Sequence, residues 1–216
     1  MPGEEQHEPI EYARFMVLQS LRWIGVSGED RLAGVLGFDH VHVARHLDEL
    51  ANQGWVHGES GPFGGWGLTD AGRAEANRQV KVELEGTGSR PRVQQSYESF
   101  RLLNPVVLSI CHDWQMRRVG QSVVMNDHRD ADYDAVVLDR LIRAHEDADR
   151  LLSDIPLERF GIHRRRLDDA LRRALAGETA YVTDSLDAYH TVWFQLHEDL
   201  LSTLGLSRDD ERGPGG

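Results

Sequence analysis

LAGVLGFDHVHVARHLDELANQGWVHGESGPFGGWGLTDAGR, residues 32–73, is the stretch on which the fold turns. A short helix over Glu29 to Leu36 stops at Gly37, since a glycine just past the last apolar position can take the left-handed conformation that a helix end needs. Another begins almost at once, with Asp39 placed to cap it and Val43, Leu47 and Leu50 on one face, and Gly54 ends it. In WVHGESGPFGGWGL, two short pieces holding tryptophan and a branched residue flank a tip of Gly, Ser and Pro, which predicts a small hairpin. Thr69 then caps a helix that runs out near Gly86.

Upstream, Tyr12, Phe15, Leu18 and Leu21 recur at three- or four-residue steps, predicting a first helix from Glu11 to Gly25. Residues 1–9 are polar and predict a frayed end. Downstream, GTGSRPR at 86–92 has the composition of a linker. The pattern beyond it predicts helices only: 93–103, 105–117 after Asn104 and Pro105, 132 to before Pro156, 157–176, and 184–204, with a polar loop at 118–131. The expected fold class is mostly α, an N-terminal winged helix-turn-helix domain over residues 1–88 and a C-terminal all-helical bundle over 89–205. Residues 206–216 read as a disordered tail.

The order helix, short helix, turn, helix, hairpin, helix, with L-A-G-V-L-G at 32–37, G-W-V at 54–56 and L-T-D-A-G-R at 68–73, resembles the MarR and PadR families of bacterial transcription regulators. Their wing is typically followed by an L-T-x-x-G-R segment. The resemblance covers roughly residues 11–80, about a third of the chain. It implies a third helix that enters the DNA major groove and a wing that reaches the flanking backbone. The groove-facing positions it implies are His40, Val41, His42, Arg45 and His46. The wing tip, 57–67, departs from the family: it holds no lysine or arginine and contains Glu59.

Charge sharpens that departure. The chain of 216 residues carries a formal net charge of −12, and residues 1–88 account for −7 of it, with seven basic against fourteen acidic side chains. Most non-specific DNA affinity comes from basic groups neutralising phosphate. A neutral histidine, common near pH 7, supplies none of that charge. The single Cys111 excludes an internal disulfide. No apolar run approaches the ~18 to 20 residues that span a bilayer, and the acidic start MPGEEQHEP lacks a basic-then-apolar leader, so a cytoplasmic protein with no membrane contact is expected.

The C-terminal half holds chemically rich segments. C-H-D-W-Q at 111–115 and the last helix, from Tyr189 to Asp199, suggest ligand-binding positions at His112, Trp114, Gln115, His190, Trp193 and His197. His190 and His197 lie two helical turns apart, ~10 Å, too far to share one ion without help from His112, His128 or His145. The metal candidates are therefore His190, His197 and His128, with no cofactor otherwise expected. N-D-H-R-D-A-D-Y-D at 126–134 reads first as a capped helix start. No nucleophile elbow, phosphate-binding glycine loop or H-E-x-x-H occurs, so no enzyme is expected.

The resulting expectation is a homodimeric DNA-binding transcription regulator whose helical domain senses a small molecule or supplies the dimer interface. In outline the pairing is similar to GntR-type regulators. Two alternatives stand beside it: a protein-docking adaptor that does not bind DNA, and a metal-sensing regulator using the bundle histidines.

Overall fold

The computed structural model describes residues 10–59, 61 and 64–208. The expected frayed start at 1–9, most of the expected tail (209–216) and part of the hairpin tip (60, 62 and 63) lie outside the described residues. The chain is mostly helical and divides into two compact units, residues 1–87 with 201–216 and residues 88–200.

In the first unit α1 (Ile10–Ile24), α2 (Glu29–Leu36) and α3 (His40–Asn52) are followed by β1 (Val56–Glu59), β2 (Gly65–Leu68) and α4 (Asp70–Gly86). Helix α1 packs against α2, α3 and α4, so it is buried on more than one side: Met16, Val17, Leu18 and Leu21 are covered, and so is Gln19. Gln19 is accommodated because its Nε2 donates to the Ala76 carbonyl of α4 at 3.1 Å. Gly37, at φ +73°, closes α2 by returning its N–H to the Ala33 carbonyl. Two residues later the Asp39 carboxylate accepts from the Val41 N–H at 2.8 Å and starts α3. Val43, Leu47 and Leu50 are fully buried.

In the second unit α5 (Arg90–Gln115) leads into β3 (Met116–Val119) and β4 (Ser122–Met125), then α6 (Ala131–Ser153), a 3₁₀ turn (Glu158–Phe160), α7 (Gly161–Leu175), α8 (Ala180–Thr183) and α9 (Tyr189–Leu204). The last turn of α9, from Leu201, groups with the first unit.

Four expectations are corrected. The half expected to be all-helical contains an antiparallel hairpin, β3–β4, where a polar loop was read. Its turn is Gly120 at φ +62° and Gln121, flanked by the β-branched Val119, Val123 and Val124. The two helices expected at 93–103 and 105–117 are one, because Val93, Tyr97, Phe100, Leu103, Val107, Ile110 and Trp114 hold a single buried register through Pro105. Pro105 sits on the exposed side, where water can satisfy the carbonyl its missing N–H leaves open. The expected linker shrinks to Thr87, Gly88 and Ser89. The last helix begins at Tyr189, not 184, and Leu186 is 63% exposed, outside its apolar register.

Candidate functional site

The L-T-D-A-G-R segment works as a clasp. The Thr69 hydroxyl accepts from the Gly72 N–H at 3.0 Å, capping α4, and donates to the Gly54 carbonyl at 2.7 Å, while the Thr69 N–H donates to the Trp55 carbonyl at 3.0 Å. A side chain at position 72 would place its Cβ 1.8 Å from that Trp55 oxygen, so the approach requires glycine. The exit of α3 and the start of α4 are thereby locked together. The hairpin is fixed from its other side: Trp66 exchanges backbone hydrogen bonds with Ser27 at 2.8 and 3.0 Å, so Ser27 acts as a one-residue third strand. The Trp66 indole donates to Glu29 Oε1 at 3.0 Å.

This framework presents the outer face of α3, with Val41 69% exposed and His42, Arg45 and Asp48 also exposed. Two of its basic side chains, Arg45 and His40, lie against carboxylates of the unit. Arg45 Nη1 donates to Glu49 Oε1 at 2.8 Å, and His40 Nε2 lies 3.3 Å from Asp30 Oδ1 and 3.5 Å from Glu29 Oε2. In the hairpin, His57 Nε2 sits 3.2 Å from Glu59.

His46 does not face outward, which corrects its placement among the groove-facing residues. It is 1% exposed, on the same side as Val43 and Leu50, three residues after one and four before the other. Arg45 Nη2 donates to its Nε2 at 3.2 Å, and Nδ1 lies 3.1 Å from Glu49 Oε2, which assigns the proton to Nδ1 and leaves the ring neutral. Burial lowers its pKa, in agreement with that assignment.

In the second unit the two segments marked by the sequence meet. Trp114 is buried with its Nε1 donating to the Thr179 carbonyl at 3.2 Å, and the His128 ring lies 4.5 Å from the indole, centroid to centroid. His128 takes φ +56° and places Nδ1 2.9 Å from Asp134 Oδ2. The buried Asn126 amide ties the two together, donating to the Trp114 carbonyl at 3.0 Å and to Asp134 Oδ1 at 2.7 Å. This knot holds the base of β3–β4.

The other expected ligand positions spread apart. His112 and Gln115 are exposed on α5. Trp193 is 1% exposed, stacked on Phe100 at 4.5 Å, with its Nε1 donating to Asn104 Oδ1 at 2.9 Å. His197 lies against the same Phe100 ring, at 4.8 Å, and His190 is half-buried. Both tryptophans are packing residues with satisfied indoles. Among the described residues no three His, Cys, Asp or Glu side chains gather as a metal-holding group.

Two arrangements were not marked by the sequence. Arg159, His163 and Asp199 form a buried cluster: Arg159 Nη1 donates to Asp199 Oδ1, and His163 Nε2 lies 3.0 Å from Oδ2. Burial alone would raise the Asp199 carboxyl, but the Arg159 charge and the His163 hydrogen bond outweigh it and hold the group well below the usual carboxylate range. Burial lowers the His163 pKa. The second arrangement is a shallow depression of about 490 Å³ between α6 and α7, lined by His145, Glu146, Asp149, Arg150, Arg164 and Asp168. In it His145 links the buried Tyr189 hydroxyl, 3.3 Å from Nδ1, to Asp168, 2.8 Å from Nε2.

No protein-family model, no curated protein and no solved structure matches the chain. No described helix is long and apolar enough to cross a membrane.

Proposed function

We propose that the first unit is a winged helix-turn-helix and that the chain is a DNA-binding transcription regulator. The observation that carries this is the tight Gly37 turn between α2 and α3 followed, after α3, by the β1–β2 hairpin, which the Ser27–Trp66 bridge extends. Helix, short helix, turn, helix, two-stranded hairpin and helix in that order, with the Thr69 and Gly72 clasp at the start of the last, agree with the order on which the resemblance to MarR and PadR regulators rests. In this reading α3 lies in the major groove and presents Val41, His42 and Arg45 to base edges. The second unit dimerises the chain or senses a small molecule, and a shift between its helices changes the spacing of two α3 helices.

Arg45 must then leave Glu49 to reach a base. Arg45→Ala weakens binding to the DNA upstream of the protein's own gene by about 1–3 kcal/mol in a gel-shift titration. Binding falls steeply with salt, because basic side chains displace counterions from phosphate. No binding at low salt and pH 6 would overturn the reading.

A second reading, a docking adaptor that does not bind DNA, is favoured by one specific observation. Arg45 already sits on Glu49, and His40 lies against Glu29 and Asp30. A surface of this kind suits a basic protein partner better than phosphate. Capture of a basic partner at the salt where DNA fails to bind separates the two.

A further inference from the structure

The β3–β4 hairpin is built like an interface and has no cover within its own unit. All four residues of β4 are exposed, with Val123 at 52%, Val124 at 38% and Met125 at 80%, and Val119 on β3 is 52% exposed. A two-stranded hairpin alone is marginally stable in water. This one is held in place at its foot, where the Asn126 N–H donates to the Gln115 carbonyl at 2.8 Å and Arg117 reaches Asp130 at 3.1 Å.

The ladder decides what fits the edge. Val119 and Ser122 close the hairpin around Gly120 and Gln121, and in a two-residue hairpin the closing pair exchanges both backbone bonds, with pairs alternating from there. Ser122 and Val124 therefore turn their N–H and C=O inward to β3, and Val123 and Met125 turn theirs to the open edge. Edge strands are ordinarily blunted by a charge or a proline, and Ser122–Met125 has neither. The charge pattern selects the occupant. The chain carries −12, whereas β4 is uncharged and the hairpin's two cations lie on β3, with Arg117 held by Asp127 and Asp130 and Arg118 one strand away from the open edge, so two copies paired through β4 bring no like charges into the new strand pair.

We propose that β4 is the pairing edge of a two-fold homodimer, in which the β4 strands of two copies run antiparallel and complete a four-stranded sheet. With the axis at Val124, Val123 faces Met125 of the second copy and exchanges both backbone bonds with it, giving about four intermolecular bonds in all. This deepens the dimer half of the function proposed above. It stands on the hairpin alone and does not depend on whether α3 binds DNA.

The register gives the test. An axis at Val124 brings the two copies of that residue to a Cα separation of about 4.5 Å, within disulfide reach, while the two copies of Val123 lie about 8 Å apart. In the full-length chain, Val124→Cys forms a disulfide-linked dimer under mild oxidation and Val123→Cys does so at least about tenfold more slowly. Cys111 does not interfere, being 3% exposed with its thiol pushed up to about 12 by burial. In sedimentation over an approximately hundredfold dilution series, the unmodified chain shows a dimer that dissociates on dilution, and Val123→Lys is monomeric throughout with unchanged far-UV circular dichroism. A monomeric unmodified chain, a persisting Val123→Lys dimer, or equal cross-linking at 123 and 124 overturns the interface. DNA bound by a chain that fails these tests leaves the winged-helix reading standing, so the two fail separately.

Discussion

The two hairpins have the same strand length and opposite settings. β1–β2 buries Val56 and Leu68, borrows Ser27 as a third strand and has its indole tied to Glu29; β4 buries nothing, and β3–β4 relies on its own turn and its foot. The charged groups are distributed the other way. The first unit keeps the ion pairs of α3 near its surface, and the second encloses Arg159, His163 and Asp199 in its core. Close backbone approach distinguishes one unit and an enclosed polar cluster the other.

Charge is where the contrast breaks most visibly. Asp199→Asn leaves Arg159 enclosed without its counter-charge and costs about 3–5 kcal/mol in a denaturant titration. Glu49→Gln weakens the exposed pair with Arg45 and keeps an amide oxygen to accept from His46 Nδ1, so it costs about 1 kcal/mol or less, and a loss equal to that of Asp199→Asn would erase the distinction. The buried cluster also predicts acid lability. His163 and Asp199 both have folded pKa values below their unfolded ones, so the unfolded chain binds protons more readily. The stability they supply is complete above the ordinary histidine value of 6.5, declines as pH falls through it, and declines again as pH falls through the carboxylate range. Thermal melts from pH 8 to pH 3 check this, and a flat profile would refute it.

Glycine substitutions sharpen the hairpin half of the contrast. Gly72→Ala must push the Trp55 carbonyl aside and costs about 3 kcal/mol, while Gly120→Ala, with open space around it, costs only the left-handed backbone, about 1 kcal/mol. Between those two glycine effects lies the clasp itself: Thr69→Ala loses one cap and one bond to Gly54, about 1–2 kcal/mol by thermal or chemical denaturation.

Much of the first unit was legible because its signals are local. Gly37, Asp39 and Thr69 end or start helices through bonds to residues two to four positions away, and a sequence displays such spacings directly. The burial of His46 is legible too, since its spacing from Val43 and Leu50 assigns it to the buried face, and it is the resemblance to the regulator families that implies a groove-facing place instead. The β3–β4 strands were hidden because an exposed strand lacks the alternation that marks one half-buried on a sheet. Proline and asparagine at 104–105 read as a helix boundary, since the packing that carries α5 through them is not local.

By itself, then, the sequence determined a mostly helical chain, most of its caps and breaks, a first hairpin after α3, and an acidic surplus larger in residues 1–88 than beyond them. Only the tertiary structure decided what the charges do. His163 and Arg159 lie 36 and 40 residues from Asp199, and on α3 His40 reaches carboxylates of α2 while Arg45 pairs within its own helix. Electrostatic partnership depends on distance through space and on exclusion of water, and neither is written in the order of residues along the chain.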